Sequence, residues 1–277
     1  MPTVDSLDDP RLWCYRDMKD RELARDGDRF IAEGEQVVRR LLRSGLRTES
    51  VLVAERKAAT IAPIVPPDVP LWIASDRTIQ DVIGFEFHSG VLACGIRPRP
   101  PGLDEILGPP HAPALASATL VICPKITNIE NLGSLVRICA AFGVTAMVLG
   151  EQCCDPFFRQ SVRVSMGALF TLPIARRRNL AVDLPRLRTD WGFELTGTVL
   201  DSDAQPLAKA GRGPKLAILF GGEADGLDKE MIALCDRRVT IPMRLGTDSL
   251  NVSVAAGIFL HHFMDVCGGK TMLNSEC

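Results

Sequence analysis

The chain has 277 residues, which is more than one average domain needs and enough for two. Its formal net charge is −2, which excludes coating of nucleic acid through bulk positive charge but allows a local basic surface. No apolar run reaches the length of about 18 residues that a transmembrane helix needs, and residues 1–10 lack the apolar core of a secretory signal. The nine cysteines are odd in number and contain no C-x-x-C pair, so we expect free thiols in a reducing cytoplasm and no zinc site.

The first part of the chain predicts a small α/β unit. Apolar residues recur at helical spacing over residues 30–44, up to Gly45, so we expect a helix there. A shorter helix is expected over residues 76–83, with its N-cap at Ser75 or Asp76. Short apolar runs predict strands at residues 50–54, 70–74 and 90–96.

Prolines then mark a domain boundary. Six of the 19 prolines lie between Arg97 and Ser117. Because proline fixes φ and removes a backbone donor, this segment is expected to be a stiff, extended linker. The predicted divisions are residues 1–97 for a first domain, 98–117 for the linker and 118–277 for a second domain.

Strands and helices alternate after the linker, which predicts a mainly parallel sheet covered on both faces. The expected strands are residues 119–123, 146–149, 195–199, 216–220 and 239–241. The expected helices are residues 132–142, 228–235 and 252–266.

The segment 126–143 leads from a strand through a polar loop into a helix opened by Gly133. Arg137 lies off the apolar stripe of this helix, and since helical side chains lean toward the N-terminus we expect it to reach back toward Asn131. Free backbone N–H groups at the start of the helix suit an anion such as phosphate. A surface arginine on a capped helix is the alternative.

The segment 216–227 places two glycines, Gly221 and Gly222, directly after an apolar strand, and Glu223 follows them. Paired glycines allow the backbone to approach a ligand closely, and ligands bind at the carboxyl ends of parallel strands. A strand-to-helix turn with a solvated glutamate is the alternative. The chain contains neither a P-loop nor a G-x-G-x-x-G fingerprint, which weighs against an unrelated nucleotide-binding α/β enzyme.

The segment 239–254 contains a strand that ends at Pro242, a loop that carries Gly246, and a helix that starts with small residues after Ser249-Leu250-Asn251. Small residues permit close packing inside the domain or across a dimer, whereas polar residues on a loop often carry chemistry. From this segment alone both interpretations stay open.

Together the three segments resemble the SpoU/TrmH branch of the SPOUT methyltransferases, which are RNA ribose 2′-O-methyltransferases. The first family motif matches Asn131, Gly133 and Arg137, the second matches Gly221, Glu223, Gly226 and Leu227, and the third matches residues 241–243 and 249–253. The resemblance covers residues 120–266. Residues 30–42 resemble, more loosely, the L30e-like substrate-binding domain common in this family.

The resemblance implies transfer of a methyl group from S-adenosylmethionine to a ribose 2′-hydroxyl in structured RNA, and rRNA is favoured over tRNA. It implies a catalytic set of Arg137, Asn131, Glu223, Ser249 and Asn251. It implies a cofactor site at Gly221, Gly222, Ile241, Met243 and Leu250. Arg163 and Ser165 match a recurring family segment and, with Arg39 and Arg40 of a local basic cluster, are expected to contact RNA.

The resemblance also implies an α/β fold with a deep C-terminal trefoil knot, a smaller N-terminal L30e-like α/β domain, and a homodimer with the site near the interface. The chemistry requires no metal. Arg137 is expected to act either as an unusually perturbed base or as a bidentate clamp on an RNA phosphate, since a guanidinium does not ordinarily deprotonate in proteins. A non-catalytic RNA-binding or ribosome-assembly protein with this fold is the alternative function.

Overall fold

The computed structural model describes residues 4, 9–16, 28–83, 89–111, 115–245 and 247–267. They belong to two compact units, one drawn from Met1–Arg99 and Asp155–Thr171 and the other from Pro100–Cys154 and Leu172–Cys277. The expected bounds of 1–97, 98–117 and 118–277 differ from this division chiefly because residues 155–171 group with the first unit. Within the described residues, no helix is long and apolar enough to cross a membrane.

The described residues contain eleven strands and nine α-helices. The strands are β1 Arg29–Glu33, β2 Thr48–Ala54, β3 Leu71–Ala74, β4 Val91–Ile96, β5 Ala118–Cys123, β6 Ala146–Leu149, β7 Ile174–Arg176, β8 Glu194–Thr198, β9 Gln205–Pro206, β10 Lys215–Leu219 and β11 Arg237–Thr240. The helices are α1 Glu35–Arg43, α2 Glu55–Ile61, α3 Asp76–Ile83, α4 Leu103–Leu107, α5 Ile129–Ala141, α6 Arg159–Val164, α7 Leu180–Trp191, α8 Lys229–Ala233 and α9 Val252–Leu260. A π-helical segment, His261–Val266, continues α9.

The first unit is built on a four-stranded sheet in the order β1-β4-β2-β3. Strands β1 and β2 run antiparallel to β4, and β3 runs parallel to β2. The helix expected over residues 30–44 is wrong in its first part, because Phe30 and its neighbours form β1. Gly34 separates this strand from α1 with a φ of 101°, a conformation that residues with a Cβ rarely adopt.

The second unit is built on a seven-stranded sheet in the order β7-β6-β5-β10-β8-β11-β9, in which every neighbouring pair is parallel. Leu120 and Ile122 of β5 lie in the core that also contains Leu184 of α7. Val121 points to the opposite face and is also fully buried, so both faces of the sheet are covered. The predicted mainly parallel sheet is therefore confirmed.

Part of the segment expected to be an extended linker is helical. Leu103 and Leu107 of α4 are buried in the core of the second unit. The indole of Trp191 donates a hydrogen bond to the carbonyl of Gly108, at 2.9 Å, directly after this helix. The prolines flank α4 rather than interrupt it, which is why their density did not prevent a helical turn.

Candidate functional site

A cavity of about 370 Å³ lies at the carboxyl ends of β8, β10 and β11 in the second unit. Its walls come from residues 198–200 after β8, residues 220–226 after β10, Ile241 and Met243 after β11, and residues 249–252 at the start of α9. Asn131 of α5 also lines it. Ligands of open α/β sheets bind at this edge, because loops from several parallel strands meet there. Nine of the ten residues expected in the catalytic and cofactor sets line this one cavity.

The turn after β10 requires glycine at its first position. A Cβ on Gly221 would lie 2.0 Å from the carbonyl carbon of Gly226 and 2.2 Å from the nitrogen of Leu227. Two backbone hydrogen bonds between Gly222 and Gly226, of 3.0 and 3.1 Å, close the turn. The close approach of the two backbone segments therefore shapes the wall of the cavity and presents Glu223 from a tight loop.

The carboxylate of Glu223 is held by donors from the loop before α5. It accepts hydrogen bonds from the backbone N–H of Asn128 at 3.1 Å and of Thr127 at 3.3 Å. The side-chain amide of Asn131 donates to the same carboxylate at 3.2 Å. Sequence reasoning missed Thr127 and Asn128 as parts of the site. Their only signal was a position four and three residues ahead of Asn131, where the motif begins.

These hydrogen bonds also set the charge of Glu223. Its partial burial acts to raise the pKa, but hydrogen bonds from its own backbone N–H, from Asn131 and from the backbone of Asn128 and Thr127 outweigh burial and lower the pKa below its ordinary value. Glu223 is therefore an anion at neutral pH. The hydrogen-bond donors stabilise its negative charge and hold the carboxylate in one orientation.

Asn131 links this carboxylate to the start of α9. Its side-chain oxygen accepts a hydrogen bond of 2.9 Å from the amide of Asn251. The oxygen of Asn251 in turn accepts from the backbone N–H and the hydroxyl of Ser253, at 2.9 and 2.6 Å, and so caps α9. Because both ends of the Asn131 amide are engaged, three segments that are distant in sequence are joined in one polar chain, Glu223–Asn131–Asn251.

The N-cap of α5 positions Asn131 for its hydrogen bond to Glu223. The side-chain oxygen of Asn128 accepts from the backbone N–H groups of Glu130 and Asn131, at 2.9 and 3.1 Å. This is an N-cap, which satisfies donors that a helix start leaves without partners. It fixes the first turn of α5 against the loop that holds Glu223.

Comparison with known proteins identifies the family. The profile of the SpoU rRNA Methylase family matches residues 118–261, which is just over half of the chain. The chain belongs to the SpoU rRNA methylase family. An uncharacterized tRNA/rRNA methyltransferase of Mycobacterium tuberculosis is 34% identical over 91% of this chain and 87% of its own length. The 23S rRNA (guanosine-2′-O-)-methyltransferase RlmB of Acinetobacter baylyi is 31% identical over 71% of this chain and 78% of its own length.

A solved structure shares the fold. The AdoMet-bound rRNA methyltransferase of Sinorhizobium meliloti superposes with a TM-score of 0.80 at 23% sequence identity, and the match covers 94% of this chain and 96% of that chain. The resemblance inferred from the three sequence motifs is thus confirmed at the level of family and fold class.

In this SpoU family member, the cavity offers unpaired backbone groups at the places expected to hold a cofactor. The backbone N–H and C=O of Gly221, Ile241 and Leu250 make no hydrogen bond to another described residue. Apolar side chains, including those of Met243 and Phe220, stand beside them. An apolar slot edged by free donors and acceptors suits a flat heteroaromatic ring such as adenine.

Arg137 is the one expected catalytic residue that does not line the cavity. It is exposed on α5 and makes no hydrogen bond or ion pair with another described residue. The expected reach toward Asn131 is not observed. Arg137 follows Asn131 by six positions, and at about 3.6 residues per turn this puts the two side chains on different faces of the helix. Ser249 does line the cavity, and its side chain is exposed.

Two of the expected RNA-contacting residues lie on α1 of the first unit, and both form hydrogen bonds within that unit. Arg39 forms an ion pair with Glu35 at 3.0 Å and donates to the carbonyl of Thr60 at 3.3 Å. Arg40 donates to the carbonyl of Met166 at 2.6 Å and is still exposed to solvent. Of these two arginines, Arg39 is therefore the more firmly bound within its own unit.

The other two lie in and after α6, also in the first unit. Arg163 is half exposed and lies 3.4 Å from the buried carboxylate of Glu33. Ser165 is fully buried, and its hydroxyl donates to the carbonyl of Val162 at 2.9 Å. The hydroxyl of Ser165 is therefore unavailable to RNA in this structure, because burial directs it into the end of the helix. Gly246, which belongs to the third sequence segment, lies outside the described residues.

Proposed function

We propose that this chain transfers a methyl group from S-adenosylmethionine to a ribose 2′-hydroxyl of rRNA. The observation that carries the proposal is the Glu223–Asn131–Asn251 chain at the wall of a cavity lined by unpaired backbone groups. Membership of the SpoU rRNA methylase family supports an RNA substrate. The ribosomal substrate and the 2′-oxygen are supported by the relative from Acinetobacter baylyi, which is named a 23S rRNA (guanosine-2′-O-)-methyltransferase.

The residues present fit this cofactor. A volume of about 370 Å³ lies within the range of about 300–1,000 Å³ typical of small-molecule sites. Ile241, Met243 and Leu250 supply apolar contact for the adenine, and the free backbone groups of Gly221, Ile241 and Leu250 supply its hydrogen-bonding partners. When bound, S-adenosylmethionine supplies a methyl group activated by its sulfonium charge.

The polar residues of the site position the ribose. Asn131 and Asn251 hold one another, and Ser249 presents an exposed hydroxyl to the cavity. Methyl transfer needs the oxygen nucleophile in line with the methyl group, so orientation is the main contribution that these side chains make. Arg137 is exposed and has no hydrogen bond or ion pair with another described residue, which favours a bidentate clamp on an RNA phosphate over a buried, perturbed base.

We further propose that the chain is a homodimer with the trefoil knot of its family and that it works in the cytoplasm. The dimer is supported by α9, where Val254 and Ile258 lie one turn apart and are 52% and 40% exposed. Adjacent exposed apolar side chains on one helical face suit burial against a second copy. In the first unit, Arg40 and Arg163 are the proposed RNA contacts, since both remain exposed.

The decisive experiment is methyl transfer from labelled S-adenosylmethionine to rRNA taken from cells that lack this gene. We expect label in rRNA, and mapping of 2′-O-methyl groups with and without the gene gives the nucleotide. Retention of RNA binding without any methyl transfer would instead support the non-catalytic, ribosome-assembly alternative. Label in tRNA alone would show that the substrate is tRNA and not rRNA.

A further inference from the structure

A second cavity of about 270 Å³ lies beside the first and has no role in the function proposed above. It shares Gly222, Asp225 and Gly226 with the cofactor cavity, so the turn after β10 is a wall of both. Its other walls come from segments that follow β5, β6 and β7, at the same edge of the sheet, and from Leu227, Asp228 and Met231 at the start of α8. The carboxyl ends of parallel strands are where such folds bind ligands, and here two adjoining cavities lie at that edge.

The wall after β6 is held in place. A Cβ on Gly150 would lie 2.3 Å from the carbonyl oxygen of Pro124, so only glycine lets the two loops pass. The guanidinium of Arg176 donates to the carbonyls of Cys153 and Cys154, at 3.0 and 3.4 Å. Because the loop is anchored at both ends, the residues between its anchors have a defined position before any ligand arrives.

Three consecutive arginines begin at the last residue of β7 and have two different roles. Arg176 anchors the loop described above. Arg177 forms a bidentate pair of 2.7 and 2.6 Å with Asp183, whose side chain is buried. Arg178 is exposed, lines the second cavity, and has no hydrogen bond or ion pair with another described residue. Arg176 and Arg177 thus stabilise the wall of the cavity, and the guanidinium of Arg178 is available to a ligand.

The lining combines an apolar floor with a polar rim. Leu227 and Met231 are among its apolar residues and are nearly buried. Glu151 and Gln152 are exposed at the rim together with Arg178. Glu151 and Arg178 form no ion pair with each other, although both face the same space. An apolar surface edged by separate donors and acceptors fits a nucleobase, whose faces are apolar and whose edges are polar.

The charges disfavour a phosphate. Three carboxylates line the cavity, from Glu151, Asp225 and Asp228, against the two cations Lys125 and Arg178. Lys125 is moreover 3.3 Å from Asp225, which neutralises it locally. A metal ion is disfavoured too, because no group of acidic, histidine or cysteine side chains in the described part of the chain is arranged to hold one.

We infer that the second cavity binds an unstacked guanine base of the RNA substrate, either the base of the methylated nucleotide or that of its neighbour. This inference rests on the proposed function. Guanine presents two acceptors, O6 and N7, to which arginine donates in the commonest specific contact to a base. It also presents the N1–H and N2–H₂ donors, which a carboxylate accepts. Arg178 and Glu151 supply these two complements at one rim.

The test uses the full chain and a short RNA that spans the mapped methylation site. Arg178→Ala is expected to lower kcat/KM for this RNA about tenfold, mainly through KM, while S-adenosylmethionine affinity stays at the wild-type value. Arg186→Ala is the matched control, because Arg186 is a half-exposed arginine of the same unit that pairs with Asp190 outside the cavity. The control is expected to behave as the wild type.

Base analogues identify the contact. Replacing guanine by 7-deazaguanine removes the N7 acceptor, so it should weaken methylation by the wild type but not by Arg178→Ala. Replacing guanosine by inosine removes the N2 amine, so it should likewise weaken methylation by the wild type but not by Glu151→Ala, which lacks the acceptor. Placing each analogue at the target or at a neighbouring position decides which base is bound. Equal losses in wild type and variant at every position would overturn the inference.

A binding measurement separates this inference from the proposed function. Ligand-observed NMR with guanosine and adenosine 5′-monophosphates should show preferential binding of the guanosine nucleotide, lost in Arg178→Ala and kept in Arg186→Ala. If the wild type methylated no RNA, the proposed function would fail while this measurement still decided whether the cavity takes guanine. Equal binding of both nucleotides, or none, would refute the guanine site itself.

Discussion

Replacement of Gly221 by alanine tests whether the turn after β10 shapes the cofactor cavity. The added Cβ would lie 2.0 Å from a backbone carbon of Gly226, and ordinary contact begins at 3.4 Å. The two backbone segments would therefore have to separate by about 1.4 Å. Neither is the end of a flexible side chain, so the displacement cannot be absorbed by a rotamer change.

The magnitude follows from that displacement. Overpacking of this kind costs about 1–3 kcal/mol, which corresponds to a Tm lower by roughly 2–12 °C for a chain of this size. The backbone groups of Gly221 would leave the cofactor position by more than 1 Å, and misplacement on that scale costs about 100-fold in rate. We expect Gly221→Ala to fold with a reduced Tm and to lose most S-adenosylmethionine binding.

Gly222→Ala is the matched control, since it adds the same methyl group one residue later. Its Cβ would lie 3.2 Å from the carbonyl oxygen of Lys125, a contact relieved by a shift of a few tenths of an ångström. Cofactor affinity, measured by calorimetry, should stay within about twofold of the wild type. Wild-type affinity in Gly221→Ala, or an equal loss in both variants, would refute the assignment of the turn.

Three further predictions concern other parts of the proposed site. Arg137→Ala should lose about 100-fold in methyl transfer and keep its cofactor affinity, and wild-type turnover would exclude a role in catalysis. Although burial raises the pKa of Glu223, hydrogen bonds hold it below the ordinary value of about 4.3, so its stabilising charge persists above that pH and is lost as pH falls through the lower folded-state pKa. The Tm advantage of wild type over Glu223→Gln should therefore shrink as pH falls below about 4.3, and a constant difference would argue against a charged Glu223. Val254→Asp and Ile258→Asp should each yield monomers in light scattering, whereas an intact dimer would place the interface elsewhere.

The sequence predicted the strands of the second unit whose apolar residues form short, uninterrupted runs. Short apolar runs gave β6 with its observed bounds and β5, β8, β10 and β11 within two residues. The paired glycines also marked one wall of the site, because Gly221 is required by backbone geometry, which acts locally. Nine residues of the candidate site were expected from the resemblance to the family, and they meet in one cavity because parallel strands place their carboxyl ends together.

The errors arose where a local rule was outweighed by packing. Helix α7 was missed because Pro185 lies inside it, although Leu180, Leu184, Leu187 and Trp191 follow helical spacing and are all buried. Proline at the sixth position of this helix is tolerated because burial of the apolar face offsets the lost hydrogen bond. The strand at Phe30 was missed for a related reason. Two adjacent apolar residues are compatible with both strand and helix periodicity, and the strand is separated from the helix only by the positive φ of Gly34.

The second cavity lay beyond sequence reasoning because, apart from Gly222, Gly226 and Leu227 in and after the turn that follows β10, its residues belong to no motif. The sequence does not distinguish the three consecutive arginines Arg176, Arg177 and Arg178. The structure does, because the first two have hydrogen-bond partners that hold the wall and the third lines the cavity. The turn that contains Gly222 and Asp225 separates that cavity from the cofactor cavity and belongs to both. A ligand that orders this turn from one side lowers the entropic cost of binding on the other, so cofactor and base should favour each other's binding by the same factor.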